Sequence, residues 1–188
     1  MPDLLDIIAG CRRMDKRAQK LLYDKYSPVL MGIAMRYGKN RADAEDVLQE
    51  AFVRIFTRIN LWEDTGSFES WMKTILINTA ISHYRKNMKY LFQKDYDEIA
   101  ELRADDSASA DIRSDFTREE LLWAMNSLPD GYRLIFNLHA IEGMKHKEIS
   151  EMLGIEQGTS KSQYYRARIF LQDKLTQLSK ERNAVIYE

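Results

Sequence analysis

The feature that most constrains the fold is a helical period of apolar residues, which recurs along the chain while strand-like alternation is nearly absent. It is clearest over residues 41–59, where the apolar side chains fall three and four positions apart: Ala44, Val47, Leu48, Ala51, Phe52, Ile55 and Phe56. Side chains at that spacing share one helix face and need an apolar partner. The 8 glycines and 3 prolines among 188 residues provide few of the turns that sandwiches and barrels require. We therefore predict an all-α fold.

Helices of the same pattern are predicted on both sides of this segment. In the N-terminal half they cover about 3–13, 15–26, 28–38 and 68–89. Pro28 is placed at a helix start because the first turn does not use its missing amide hydrogen. In the C-terminal half they cover about 116–127, 130–141, 145–153 and 159–179. Pro129 before the second of these and Gly154 after the third are typical of helix boundaries.

The charge distribution divides the chain into three parts. The net charge is −1, but residues 1–95 carry 16 Lys and Arg against 12 Asp and Glu, whereas residues 96–128 carry 3 against 9. Residues 95–115 are rich in acid, Ala and Ser, which is typical of a flexible linker. We predict a helical domain over 1–94, a linker over 95–115 and a small helical domain over 116–182. A net charge near zero does not exclude nucleic-acid binding, because binding depends on local patches of positive charge.

Several classes of protein are disfavoured by what the sequence lacks. The single cysteine, Cys11, excludes an internal disulfide framework and a thiolate-rich metal site. No run approaches the roughly 18 apolar residues of a membrane span, and the acidic start is unlike a signal peptide. The histidines are scattered, and Gly143 separates His139 from His146. We expect a cytoplasmic protein with no membrane insertion, no cofactor, no metal and no enzymatic activity.

A helix-turn-helix is predicted over residues 145–179. A short amphipathic helix ends at Gly154, and a second helix begins near Gly158 and Thr159. On the second helix the packed face is predicted to hold Ser160, Tyr164, Ala167 and Leu171. The opposite side holds Lys161, Ser162, Tyr165, Arg166 and Arg168. A basic, hydroxyl-bearing face suits insertion into the major groove; the alternative is a solvated helical hairpin.

Two further segments carry candidate binding residues. Residues 70–94 hold no acid, five Lys and Arg, and interleaved aromatic rings, a composition that suits single-stranded nucleic acid. The alternative is that Trp71 belongs to the core. Residues 43–50 hold four acids at a helix start, which either stabilise the helix dipole or form a protein-contact face.

Three segments, in this order, resemble the extracytoplasmic-function group of bacterial sigma factors, the promoter-recognition subunits of RNA polymerase. The first is Asp-Ala-Glu-Asp-Val-Leu-Gln-Glu-Ala-Phe at 43–52. The second is Phe-Glu-Ser-Trp-Met at 68–72, followed by Asn78 and Arg85. The third joins Ser-Leu-Pro at 127–129 to Gly154 and residues 158–168. The resemblance implies two helical domains, called regions two and four, joined by a variable linker.

The resemblance also implies partners and residue roles. Contact with the clamp of the largest subunit of core RNA polymerase is implied for Asp43, Asp46, Gln49 and Glu50. Capture of the minus-ten promoter element is implied for the loop 61–69 and for Phe68, Trp71, Asn78, Arg85 and Lys86. Reading of the minus-thirty-five element is implied for Thr159, Lys161, Ser162, Tyr165, Arg166 and Arg168. An anti-sigma factor is implied as a regulatory partner.

One position departs from the family pattern, and one alternative function stays open. Position 160 is usually aliphatic in the family and is Ser160 here, which predicts a hydroxyl on the packed face of the second helix. The alternative is a helix-turn-helix repressor or activator that binds duplex DNA without joining the polymerase. Such a protein would need neither the acidic segment nor the basic aromatic helix.

Overall fold

The structure, a computed structural model, describes residues 2–64, 66–85 and 116–186, with side chains through residue 182. Every regular element within those ranges is a helix, which confirms the predicted all-α fold. The chain divides into two compact units, Met1–His83 and Tyr84–Glu188. The predicted linker at 95–115 lies outside the described residues, so its boundaries stay a prediction.

The first unit is a helical bundle in which α2 packs against both α1 and α3. Its elements are α1 (Leu4–Arg12), α2 (Lys16–Tyr37), α3 (Arg41–Arg58), a 3-10 turn (Ile59–Leu61) and the greater part of α4 (Phe68–Arg85). The side chains predicted for the apolar face of α3 are buried except Phe56, which is half-buried. The spacing of three and four residues therefore identified the packed face of α3 correctly.

Residues 15–38 form one helix where the sequence predicts two. Helix α2 continues through Pro28, whose ring lies on the exposed side. Tyr26 and Leu30, on either side of the proline, are buried against neighbouring helices. The prediction of a helix start at Pro28 is wrong, because burial on both sides offsets the single hydrogen bond that an internal proline removes.

The second unit packs α8 against three shorter helices. Its elements are α5 (Arg118–Asn126), α6 (Asp130–Phe136), a π-helical turn (Asn137–Ile141), α7 (His146–Leu153) and α8 (Gln157–Ile186). An apolar core joins α5, α6 and α8 through Ala124, Leu128, Tyr132, Ala167 and Leu171. Two details differ from prediction: the helix expected over 130–141 ends in the π-helical turn, and α8 continues past residue 179. None of the described helices has the length and hydropathy of a membrane-crossing segment.

Candidate functional site

In the first two turns of α3, some of the acidic residues form contacts with neighbouring residues at the helix start. The Asn40 side chain accepts a hydrogen bond from the Asp43 amide at 2.9 Å, and the Asp43 carboxylate accepts one from the Lys39 amide at 3.2 Å. Glu45 pairs with Arg41 at 2.7 Å. These contacts fit the helix-start interpretation for Asp43 and Glu45, since anions are favoured near the positive end of a helix.

Asp46 and Gln49 lie on the exposed side of α3 and are not part of that local network. Their side chains form no hydrogen bond or ion pair with any other residue that the structure describes. Val53, two turns after Asp46, is 62% exposed. The outer face of α3 therefore presents unpaired polar groups next to an apolar side chain, a combination found in protein interfaces.

Glu50 differs from Asp46, because two side chains, Arg54 and His83, bind its carboxylate. Arg54 donates to Oε1 at 2.5 Å, and Oε2 lies 2.6 Å from His83 Nε2 on α4. The hydrogen bond from His83, followed by the contributions of Arg54, lowers the pKa of Glu50. Glu50 thus ties α3 to α4. The role of His83 could not be predicted from the sequence, because His83 lies 33 positions from Glu50 and belongs to no local pattern.

We expect Glu50→Gln to lower the free energy of unfolding at pH 6 by about 0.5–1 kcal/mol, the upper range for a solvent-exposed ion pair. Because the pKa of Glu50 is lowered on folding, this stabilisation is complete above about pH 4.3 and is lost as the pH falls through the depressed value. Urea unfolding of the full chain at pH 6 and pH 3 measures it. The matched control is Glu45→Gln, which breaks only an exposed pair within α3. Equal losses in both variants, or a loss for Glu50→Gln that is as large at pH 3 as at pH 6, would contradict the assignment.

An aromatic cluster supports the start of α4 and the preceding loop. Phe68 is 3% exposed, and its ring centroid lies 5.0 Å from that of Trp62 and 6.1 Å from that of Tyr26. Trp71 stacks on Phe68 at 5.4 Å and is half-buried. The Arg12 guanidinium donates to the Trp62 carbonyl at 2.6 Å, which attaches the loop to α1. The structure thus places Phe68 inside the unit and leaves part of the Trp71 ring accessible.

The outward side of α4 brings together three of the predicted nucleic-acid residues. Trp71, Asn78 and Arg85 are spaced by seven residues, or nearly two helical turns, so they follow one face. Asn78 and Arg85 are exposed. Ile75 and Thr79, about one and two turns after Trp71, are buried, so α4 has a packed side and an open side. Lys86 lies outside the described residues.

The helix-turn-helix of the second unit follows the predicted plan. Gly154 ends α7 in the left-handed conformation, with φ 68°, and its amide donates to the Ser150 carbonyl at 2.9 Å. Glycine adopts this conformation at no steric cost. The turn leads directly into α8, and α7 and α8 pack against each other.

The open side of α8 carries the predicted duplex-binding residues. Lys161, Ser162, Tyr165 and Arg168 are exposed, whereas Thr159 and Arg166 are half-buried at the edge of that surface. The Ser162 hydroxyl donates to the Thr159 carbonyl at 3.0 Å. On the packed side, Ala167 and Leu171 are buried as predicted.

Polar residues also occupy the packed side of α8. Ser160 is fully buried, and its hydroxyl lies 2.9 Å from Nδ1 of His146 on α7. Gln163 is 2% exposed. The buried hydroxyl at position 160 was predicted from the sequence, but its histidine partner was not. Ser160 stands where the family usually has an aliphatic residue, and this difference indicated that a partner must exist, since a buried hydroxyl needs a hydrogen-bond partner.

Two family models match the chain, one mainly in the first unit and one in the second. Residues 22–90 match Sigma-70 region 2, and residues 118–171 match Sigma-70 region 4. Together these matches include α3, α4 and the helix-turn-helix, the elements that carry the exposed candidate residues. The two models come in the order that the sequence resemblance implies.

Similar proteins match along nearly the whole chain. The RNA polymerase sigma-H factor of Pseudomonas aeruginosa is 29% identical over 183 residues, covering 93% of this chain and 95% of that protein. The ECF RNA polymerase sigma-E factor of Haemophilus influenzae is 27% identical over 180 residues, covering 92% and 95%. Among solved structures, the sigma factor RpoE in complex with the anti-sigma factor NepR from Bartonella quintana matches with a TM-score of 0.49. That structure is 23% identical and the match covers 84% of this chain and 96% of that one.

Proposed function

Because this chain belongs to the extracytoplasmic-function group of RNA polymerase sigma factors, we propose that it binds core RNA polymerase and directs initiation at specific promoters. It acts in the cytoplasm, where the polymerase is. It catalyses no reaction itself; the polymerase supplies the chemistry.

The observation that supports this proposal most is a pair of open surfaces suited to two forms of DNA. The outward side of α4 combines a partly accessible indole ring with exposed Asn78 and Arg85, a combination suited to unstacked bases and their phosphates. The open side of α8 presents basic and hydroxyl groups on a helix-turn-helix, which suits a duplex major groove. Promoter opening requires both, whereas a repressor needs only the second.

In the first unit, we propose that the minus-ten element meets the loop 61–69 and the outward side of α4. Trp71 stacks on an exposed base, Asn78 bonds a base edge, and Arg85 and Lys86 hold phosphates. Leu61, 72% exposed at the end of the 3-10 turn, lies within this loop. Phe68 is buried and its ring stacks on that of Trp71, which supports a structural role for Phe68 in positioning Trp71.

In the second unit, we propose that α8 reads the minus-thirty-five element. Lys161, Ser162, Tyr165 and Arg168 face the duplex from the open side, and Thr159 and Arg166 reach it from the edge of that surface. Arg and Lys side chains bind guanine edges or phosphates. The exposure of the first four residues supports this assignment.

On α3, we propose that Asp46 and Gln49 contact the polymerase clamp directly, with Asp43 and Glu50 contributing next to them. Asp46→Lys is then expected to weaken binding of core polymerase by about tenfold or more, since charge reversal in an interface costs several kcal/mol. Stability should change by about 0.5 kcal/mol or less, because Asp46 is exposed. Polymerase affinity and urea unfolding are measured on the same preparations.

Glu45→Lys is the matched control for Asp46→Lys, because it makes the same charge change on the same helix at a residue paired with Arg41. It should affect polymerase binding much less. An equal loss of polymerase affinity in the two variants would mean that only the overall charge of the chain matters. No loss of affinity in either variant would contradict the assignment of Asp46 to the clamp contact.

The alternative is a helix-turn-helix regulator that binds duplex DNA alone. Size-exclusion chromatography of the full chain with core polymerase separates the two functions. A sigma factor should co-elute with the enzyme and gain promoter affinity in the complex. A chain that binds promoter duplex tightly alone, and never co-elutes with polymerase, would be a repressor or activator.

We further propose regulation by a partner in trans, an anti-sigma factor that covers the α3 and α8 surfaces. The exposed Asp46 and the open side of α8 support this, because such surfaces would otherwise compete for polymerase at all times. Affinity capture from uninduced cells should recover the chain with a partner that core polymerase displaces. Recovery of the chain only free or only on polymerase would place control in its synthesis instead.

A further inference from the structure

Two histidines meet inside the helix-turn-helix. His139, on the π-helical turn, stacks on His146 at the start of α7, with ring centroids 4.0 Å apart and an interplanar angle of 22°. The Tyr164 ring of α8 meets the His139 ring edge-on at 4.5 Å and lies 5.8 Å from the His146 ring. Both histidines are half-buried. The pair therefore lies where the π-helical turn, α7 and α8 come together.

Each ring of the pair has a fixed hydrogen-bond partner. Nδ1 of His139 lies 2.8 Å from the Met144 carbonyl oxygen, and because a carbonyl only accepts, this nitrogen donates. Nδ1 of His146 lies 2.9 Å from the Ser160 hydroxyl on α8. The two bonds and the stack form a continuous connection from the 142–145 turn to the packed side of α8. Ser160 is fully buried, so its bond to His146 fixes the rotation of α8 at that point.

The surroundings of His146 favour its uncharged form. Burial, followed by the nearby His139 and Lys161 of α8, lowers the pKa of His146. Tyr164 faces both rings from α8. Lys145, which precedes α7, and Lys147 flank His146 in the sequence, and the Glu148 carboxylate accepts a hydrogen bond from the Lys145 amide at 2.7 Å. Glu142 follows the π-helical turn that carries His139. If both stacked imidazoles were protonated, two positive charges would lie in contact with each other and close to Lys161.

We propose that the His139–His146 pair acts as a positioning device for α8, which holds α8 in its DNA-reading position when uncharged and releases it on acidification. The inference rests on the proposed function only in the identity of α8 as the DNA-reading helix. The stacking, the two hydrogen bonds and the buried Ser160 do not depend on it.

The direction of the effect follows from proton linkage. The unfolded chain binds a proton at His146 below about pH 6.5, the ordinary histidine value, whereas the folded chain binds it only at lower pH. The stability of the folded state is therefore fully present above pH 6.5 and decreases as the pH falls below that value. The penalty is complete once the pH is below the depressed pKa of His146.

Amide hydrogen exchange of the full chain at pH 7 and pH 5.5, corrected for intrinsic rates, tests the device without DNA. Protection of α7 and of the first turns of α8 should fall by up to about tenfold, since pH 5.5 lies one unit below the ordinary histidine pKa and one unit corresponds to a factor of ten. In His139→Asn, the amide nitrogen of the new side chain replaces Nδ1 as donor to Met144, but the neighbouring charge is gone. Because the ring stack is lost, that variant should show lower protection than the wild type at pH 7, and a smaller further fall between pH 7 and pH 5.5.

His83→Asn is the matched control, because His83 is in the first unit and pairs with Glu50. It should leave the pH response of α7 and α8 unchanged. Protection of α7 and α8 that does not change with pH in the wild type, or falls equally in His139→Asn, would overturn the proposal.

Binding of a minus-thirty-five duplex at the two pH values separates this inference from the proposed function. Between pH 7 and pH 5.5, the wild type should lose more affinity for the duplex than His139→Asn does. A gain instead would mean that the added positive charge only strengthens DNA contact, which would overturn the positioning role. If protection responds as expected but no duplex binds at either pH, even with core polymerase present, the proposed function fails while the histidine device stands.

Discussion

Phe68→Ala is expected to destabilise the first unit by about 3–5 kcal/mol, the range for truncating a buried aromatic side chain. The Phe68 ring is 3% exposed and contacts the rings of Tyr26, Trp62 and Trp71, so its removal leaves a cavity under the loop. A loss of this size is a large part of the 5–15 kcal/mol that usually stabilises a domain. Urea unfolding followed by tryptophan fluorescence measures it, since Trp62 and Trp71 both report on this cluster.

Two matched variants separate packing from DNA contact at this site. Phe68→Leu keeps an apolar side chain in the cluster and should retain most of the stability and of the strand opening. Trp71→Leu should keep much of the stability, because Trp71 is half-buried, but should lose permanganate reactivity of the opened minus-ten thymines. Full stability of Phe68→Ala with loss of strand opening would instead make Phe68 a direct base contact.

Arg166→Ala is expected to weaken binding to a minus-thirty-five duplex by about tenfold or more, because one bidentate base contact is worth about 1–3 kcal/mol. Arg166 lies half-buried at the edge of the open side of α8, so its unfolding must be measured alongside. Lys161→Ala, at an exposed position, should act more uniformly across sequences and reduce the salt dependence by about one phosphate contact.

Lys180→Ala is the matched control on the same helix. It removes an exposed positive charge about 28 Å along the helix from Lys161, at 1.5 Å per residue. Its affinity for the duplex should be close to wild type. If all three alanine variants lose affinity equally, α8 contributes only overall charge and does not read the promoter.

The elements with regular spacing could be predicted from the sequence. The packed side of α3 followed from apolar residues three and four positions apart, and the end of α7 from Gly154, which takes the left-handed conformation. Both signals are local, so they do not depend on how the rest of the chain folds. Pro28 shows the limit of such signals, since packing on both sides continues α2 through it.

The contacts that define the candidate site in detail could not be predicted, because they depend on how separate helices pack together. Glu50 bonds His83 across 33 positions. His139 and His146 looked unrelated across the Gly143 break, yet the chain reverses there, with Gly143 at φ 73°, and the rings stack. The sequence indicated only that a hydroxyl at position 160 would be buried. The partner of that hydroxyl came from the tertiary structure.

The most direct test of the central claim is run-off transcription on genomic fragments with purified core polymerase, with and without the full chain. Discrete transcripts that appear only when the chain is added, and that are reduced by Asp46→Lys, Trp71→Leu and Arg166→Ala but not by Lys180→Ala, are the predicted result. If no template gives a promoter-specific transcript with polymerase and chain together, while the chain alone still binds promoter duplex tightly, the protein is not acting as a sigma factor.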